Sequence, residues 1–212
     1  MMQMVGDNLA LVEALGETTA TIVGHDWGGV IGWLLAMREP AVVERLVIIN
    51  APHPATMARE IWRPWQLWKS WYVFAFQVPR VPEALFRLGH YALMRRALRR
   101  EPVRPGAFDA GTIHRYVEAI DRPDALTAGI NYYRAAFRRN PLRTARDVRP
   151  VACPTLVVWG EQDRHLSPRL TQGLERWAPN LRIECLPDAS HWVQRDAPER
   201  LNELLIDFLA RH

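Results

Sequence analysis

Hydrophobic and polar positions follow one rhythm at both ends of the chain and another in the middle. Up to about Pro54, short apolar runs alternate with segments of helical period. Asn8 to Leu15 predicts a short helix with Leu9, Val12 and Leu15 on one face, stopped by Gly16. Thr19-Ala20-Thr21-Ile22-Val23 is rich in β-branched residues and predicts a strand buried on both faces. After Gly24-His25-Asp26-Trp27-Gly28-Gly29, Val30 to Met37 reads as a helix ending near Glu39-Pro40, and Leu46-Val47-Ile48-Ile49-Asn50 as a second buried strand. The same rhythm returns after Pro150. It predicts a strand at Thr155–Trp159, a helix at Pro168–Trp177, a strand at Leu181–Leu186 and a closing helix at Pro198–Leu209. Strands alternating with helices imply an α/β fold around a mostly parallel sheet.

The middle, residues 58–150, is rich in Arg, Trp, Tyr and Pro and has no β-branched run of strand length. It predicts a helical cap inserted between a first core part, 1–57, and a second, 151–212. Trp62, Trp65, Trp68, Trp71 and Phe74 recur every three residues, which reads as a helix face packed on the core, with some rings lining an apolar pocket.

Composition narrows the function classes. With 49% hydrophobic and 24% charged residues, the 212-residue chain has the balance of a globular protein. No run of 18 apolar residues suggests a membrane span, and the first residues lack the basic and apolar regions of a secretory signal. Two cysteines, Cys153 and Cys185, cannot form a disulfide framework, so a soluble, cytoplasmic location is the expectation. The net charge of +4 conceals a basic middle: Arg59 to Arg149 carries 18 Lys+Arg against 8 Asp+Glu. Its densest part, Leu93-Met94-Arg95-Arg96-Ala97-Leu98-Arg99-Arg100, alternates apolar and basic residues at helical spacing, as a solvated helix does. No zinc spacing or aromatic–basic strand motif accompanies the charge, so nucleic acid is not expected as a partner.

The chemistry sits in the turns after the predicted strands. Gly24-x-Asp26-x-Gly28 lies between a strand and a helix, the setting of a nucleophile elbow, in which a reactive side chain rides a strained turn. Asp163, in Trp159-Gly160-Glu161-Gln162-Asp163, follows the next buried strand, and His191, in Pro187-Asp188-Ala189-Ser190-His191-Trp192, follows the last. Nucleophile, acid and histidine thus occur in the chain order of the α/β-hydrolase fold. Glu161, Asp188 and Asp196 are rival acids. An aspartate at the elbow attacks a saturated carbon and forms an alkyl ester, which a base-activated water must then cut. The substrate then carries its leaving group on sp³ carbon, as an epoxide or a halide does.

Gly24-His25-Asp26-Trp27-Gly28-Gly29, Asn50-Ala51-Pro52-His53-Pro54, Gly160-Glu161-Gln162-Asp163 and Ala189-Ser190-His191-Trp192 together resemble the α/β-hydrolase-fold epoxide hydrolases. The resemblance extends to Tyr72-Val73-Phe74-Ala75-Phe76-Gln77-Val78-Pro79 and Asn131-Tyr132-Tyr133-Arg134 in the predicted cap. It implies catalytic roles for Asp26, Asp163, His191, Tyr72 and Tyr133, the two phenols binding the epoxide oxygen. It also implies a pocket lined by Trp27, Phe76 and Trp192, with a small apolar epoxide and water as reactants. No cofactor and no metal is implied, and a homo-oligomer stays open. Trp27 could also lend its backbone N–H to an oxyanion hole. Tyr132 is the rival of Tyr133; Tyr91 and Tyr116 read as structural, and His25 and His53 as shaping loops.

The pattern departs from the family at the start, where nothing before Thr19 resembles its early strands or its His-Gly-x-Pro loop. By usual element lengths, roughly 70–100 residues would precede the elbow strand. A truncated frame and an exposed sheet edge at the first strand are the corresponding expectations. Two rivals follow: a haloalkane dehalogenase, which shares the nucleophile, and a non-catalytic remnant of the fold.

Overall fold

The computed structural model describes residues 2–138 and 148–211; of the expected cap, 139–147 lie outside the described residues. Four strands, β1 (Ala20–His25), β2 (Val43–Ile49), β3 (Thr155–Gly160) and β4 (Leu181–Leu186), form a sheet in the order β1-β2-β3-β4. All three pairings are parallel. Each connection must therefore cross over the sheet, which is why helical segments separate the strands.

The apolar runs are two-sided, as strands between helical layers must be. Leu46 and Ile48 of β2 and Val157 and Trp159 of β3 pack with Trp33 and Leu35 of α2 (Trp27–Arg38). Alternate residues, Val47, Ile49, Leu156 and Val158, meet Leu201, Leu204 and Phe208 of the closing helix (Pro198–Arg211). Trp33 and Trp159 are wholly buried. At roughly 25 cal/mol per Å² of apolar surface, each contributes several kcal/mol. β1 pairs only with β2 among the described residues, and its Val23 is 51% exposed, so the first strand forms an open edge.

Boundaries shift where local pattern was ambiguous. The first helix, α1, runs Met2–Ala14 and buries Val5 and Val12, with Leu9 packed against the core, while Leu15 is exposed. Leu15 falls beyond the last helical turn, beside Gly16 at φ 78°. The expected helix at Pro168–Trp177 is two 3₁₀ turns, Pro168–Thr171 and Leu174–Arg176, parted by Gly173 at φ 77°. A further helix, α10 (Val193–Asp196), precedes the closing one, here α11.

The middle is helical: α3 (Pro54–Glu60), α4 (Pro64–Lys69), α5 (Trp71–Ala75), α6 (Val81–Arg87), α7 (Ala92–Arg100), α8 (Ala110–Asp121) and α9 (Ala125–Arg138). α3 begins at Pro54, four residues before the expected boundary. On α7, Leu98 is buried and Arg96, Arg99 and Arg100 are exposed, the solvated basic face expected. The tryptophan series differs from expectation. Trp62, Trp68 and Trp71 are mostly exposed and do not pack on the core. Pro64 and the turn at Ser70 break the segment into short helices. Spacing by threes against a 3.6-residue turn also sweeps the rings around a helix instead of along one face. Both cysteines are free thiols. Among the described residues no helix is long and apolar enough to cross a membrane.

Candidate active site

Because the strands are parallel, their carboxyl ends share one edge of the sheet. His25 is level with Ile49, Ile49 with Val158, and Gly160 with Leu186. The turns that follow, at Asp26, Asn50, Asp163 and His191, therefore open onto one crevice, the usual ligand position in open α/β sheets.

Asp26 occupies the elbow at φ 51°, ψ −124°, a strained backbone region for a residue with a side chain. Its N–H donates to the Ile49 carbonyl, 3.2 Å, and its carbonyl accepts from Val30 N–H, 3.0 Å, which pins the turn to strand and helix. The bend brings strand and helix backbones together. A Cβ on Gly24 would lie 2.5 Å from the Gly28 carbonyl oxygen, and one on Gly29 would lie 2.4 Å from the Ala51 Cβ. Gly28, the glycine of the expected Gly-x-Asp-x-Gly spacing, has open space instead. At the end of β3, a Cβ on Gly160 would collide with the Ser190 carbonyl oxygen, so glycine lets the histidine loop close over that strand.

His191 Nδ1–H donates to Asp163 Oδ2 at 2.8 Å, and its Nε2 faces Asp26 Oδ1 at 3.8 Å. Burial alone would lower the imidazole's pKa; the Asp163 bond and charge, followed by Asp26 and Glu101, raise it above the ordinary histidine value. Burial alone would likewise raise Asp163. His191 and the backbone N–H groups of His165 (2.7 Å) and Leu166 (2.9 Å) hold it below the usual carboxylate range. Lys69 Nζ donates to the Asp163 carbonyl. The rival acids stand apart: Glu161 and Asp188 are exposed, and Asp196 accepts from Ser190 and from Arg104 N–H.

Asn50, absent from the site residues that the motifs imply, belongs to the same network. It is fully buried, sits at φ 40°, and donates through Nδ2 to Asp163 Oδ2 at 2.7 Å while its Oδ1 accepts from Gly160 N–H at 2.8 Å. Its place directly after a predicted strand, level with the elbow, was the available signal.

The helical segment brings the two phenols over the crevice. The Tyr72 and Tyr133 rings lie 5.6 Å apart and nearly perpendicular, and Tyr133 meets the Trp27 ring edge-on at 5.1 Å. Arg134 sets this pairing. Its guanidinium forks onto Glu83 at 2.6 and 3.1 Å and donates to the Phe76 and Val78 carbonyls, tying α9 to the segment behind Tyr72. Burial first, then mutual proximity and the Asp26 charge, push Tyr72 well up; burial and Asp26 push Tyr133 up as well. Both phenols therefore stay protonated across the physiological range.

A cavity of about 420 Å³ opens beside Asp26, lined by Trp27, Tyr72, Tyr133 and apolar residues that include Met57, Ile61 and Phe137. Of the expected lining residues only Trp27 borders it. Phe76 packs behind the phenols, 5.5 Å from Tyr72 and 5.0 Å from Tyr133. Trp192 joins Phe108, Ile113 and Tyr116 of the helical segment. Trp62 also lines the cavity. Tyr132 touches the Trp27 ring but not the cavity; Tyr91 bonds Asp121, and Tyr116 packs on Phe108. His25, held below its ordinary pKa by burial and then by His191, bonds the His191 carbonyl at 2.8 Å. His53 is buried and caps α3 by accepting from Ala55 N–H. Both shape loops. No cluster that could hold a metal ion occurs among the described residues.

Comparison with known proteins agrees with this fold. Residues 1–198 match the alpha/beta hydrolase fold family. The AB hydrolase superfamily protein YfhM of Bacillus subtilis is 36% identical over 205 residues, covering 96% of this chain and 70% of that protein. Epoxide hydrolase 4 of Mus musculus is 32% identical, but the chain, covered to 97%, spans only 58% of that relative's length. Among solved structures, a point mutant of an epoxide hydrolase from Bacillus megaterium superposes with a TM-score of 0.88 at 29% identity, covering 97% of this chain and 74% of that one. An epoxide hydrolase of the same superfamily, from hot-environment metagenomes, is 32% identical with a TM-score of 0.83, covering 98% and 73%. The chain belongs to the α/β hydrolase fold family and is epoxide hydrolase-like within it.

Proposed function

We propose that this site opens an epoxide to a vicinal diol through an ester on Asp26. The observation that carries the reading is the meeting of Tyr72 and Tyr133 over the cavity that also holds the Asp26 carboxylate, with His191 Nε2 behind that carboxylate. An Asp26 oxygen attacks one epoxide carbon; the carbon–oxygen bond breaks, and the freed oxygen takes a proton from a phenol. His191 Nε2 then accepts a proton from water, and the hydroxide adds to the Asp26 carbonyl carbon. The backbone N–H of Trp27, the first residue of α2, would donate to the oxyanion. The adduct then collapses: the bond between the Asp26 acyl carbon and the ester oxygen breaks, and the departing alkoxide takes the proton of the new Asp26 carboxyl group. The imidazolium proton returns to the phenolate, so that the diol leaves and every group is restored. Asp163 and Asn50 keep Nδ1 protonated, so that Nε2 is the basic nitrogen. The chemistry calls for no cofactor. The apolar cavity suits a small apolar epoxide. Dehalogenation would share Asp26 but give the two phenols no departing alkoxide to protonate, so the epoxide reading is the better fit.

The test is His191→Gln with styrene oxide. The variant should accumulate Asp26 carrying one substrate mass, seen by peptide mass spectrometry, while the parent chain releases diol. Absence of adduct and diol alike would overturn the reading, and chloride release from 1-chlorobutane without diol formation would reassign it.

A further inference from the structure

One carboxylate in this neighbourhood has no part in the scheme above. Glu101 follows the last residue of α7, 62 positions before Asp163, and its side chain is only 18% exposed. Its Oε1 lies 3.2 Å from His165 Nε2, and its Oε2 accepts from Trp192 Nε1 at 3.3 Å. Both rings flank His191: His165 at 5.7 Å between centroids and Trp192 at 5.5 Å, each nearly perpendicular to it. The same His165 donates its backbone N–H to Asp163, and its ring stands edge-on to Tyr72 at 5.4 Å. Nearby, Arg104 N–H bonds Asp196, whose other oxygen holds Ser190, the residue before His191. The segment after α7 is thus fastened to the histidine loop at several points, and Glu101 supplies the carboxylate on its side.

We propose that Glu101 is a positioning residue of this site, a carboxylate from the helical segment whose two bonds hold His165 and Trp192 against His191 and set the field in which that imidazole gains and loses its proton. The groups facing His191 give the inference its sign. Asp163 and Glu101 from two sides, and Asp26 from the elbow, favour the imidazolium; the His25 and His165 rings also face it, and Lys69 lies beyond Asp163. Glu101 itself is held ionised. Burial works against its charge, but His165, then Trp192 and His191, bring its carboxyl below the usual range. A base that takes a proton from water becomes an imidazolium, so a third carboxylate stabilises the protonated form directly. Docking of the helical segment and the proton affinity of His191 are then coupled. This deepens the proposed reaction and rests on it only for its kinetic consequence.

The test reads His191 itself. Its Cε1–H signal, assigned by its loss in His191→Gln, is followed by proton NMR against pH. Glu101→Gln keeps the size and a hydrogen-bonding end but removes the charge, and should lower the midpoint by about half to one pH unit. Glu101→Asp, which keeps the charge on a shorter arm, should leave it near the parent value. Glu118→Gln, at an exposed pair with His114, should leave it in place. A fall in Glu101→Gln that Glu101→Asp restores is the signature of the charge; a merely structural role would move both. An unmoved midpoint in folded Glu101→Gln, or an equal fall in both variants, overturns the proposal. If Glu101→Gln does not fold, a fall of about half a unit or more in Glu101→Asp overturns it alone. The acid limb of diol release should move with the NMR midpoint. Absence of diol from the parent chain would sink the epoxide reading and leave the NMR result standing.

Discussion

Replacing Asn50 by Asp keeps the shape of the side chain but puts a second carboxylate oxygen where Nδ2 now donates to Asp163 Oδ2 at 2.7 Å. Two outcomes compete. If both groups stayed ionised, the repulsion at that distance would be about 6 kcal/mol at an effective dielectric of 20. If one took up a proton, the cost at pH 7 would be about 1.4 kcal/mol for each unit between pH 7 and an ordinary aspartate pKa of about 3.9, or about 4 kcal/mol. Protonation is cheaper, and a protonated residue 50 could donate to Asp163 as the amide does, preserving the His191 pair. The folded variant would then hold one proton more than its unfolded chain. Its stability relative to the parent should therefore fall as pH rises, by about 1.4 kcal/mol per unit above pH 4. Urea unfolding followed by circular dichroism should show a deficit of about 4 kcal/mol at pH 7 that shrinks to about 1.5 kcal/mol at pH 5. An equal deficit at both pH values, or one below about 1 kcal/mol at pH 7, would refute the assignment of Asn50 Nδ2 as a donor to an ionised Asp163.

Two further expectations concern stability. Gly29→Ala drives a Cβ into Ala51 and should cost about 1–3 kcal/mol, whereas Gly28→Ala meets open space and should be neutral or slightly stabilising; thermal melts separate the two. His53, fully buried with its pKa pushed down by burial to about 4, stays neutral when folded and binds a proton when unfolded. Stability should therefore drop by about 3 kcal/mol as pH falls from 6.5 to 4, and His53→Gln should flatten that slope in urea titrations. A slope unchanged by the substitution would refute this.

Local pattern alone located the four strands to within a few residues. A strand buried on both faces must be apolar at successive positions, as β2 and β3 largely are, whereas β1 and β4 are partly exposed and β4 alternates apolar residues with Arg182 and Glu184. The parallel α/β class, the elbow at Asp26 and the order of Asp26, Asp163 and His191 followed, because turn chemistry and chain order are one-dimensional properties. Where the pattern misled, the cause was packing. Regular three-residue spacing of tryptophans does not say whether anything covers them, and a strand-to-helix glycine motif does not say which glycine faces a neighbouring Cβ. Tertiary structure alone decided that the turn after β2 delivers Asn50 to Asp163, that Arg134 fastens α9 behind the phenols, that Phe76 packs behind the phenols and Trp192 on Phe108 instead of lining the cavity, and that Glu101 reaches His165 and Trp192. Each is a contact between residues tens of positions apart, set by the pairing of β2 with β3 in the case of Asn50 and otherwise by how the helical segment settles on the open end of the sheet. No periodicity encodes such a meeting, since it depends on the summed shape of both surfaces.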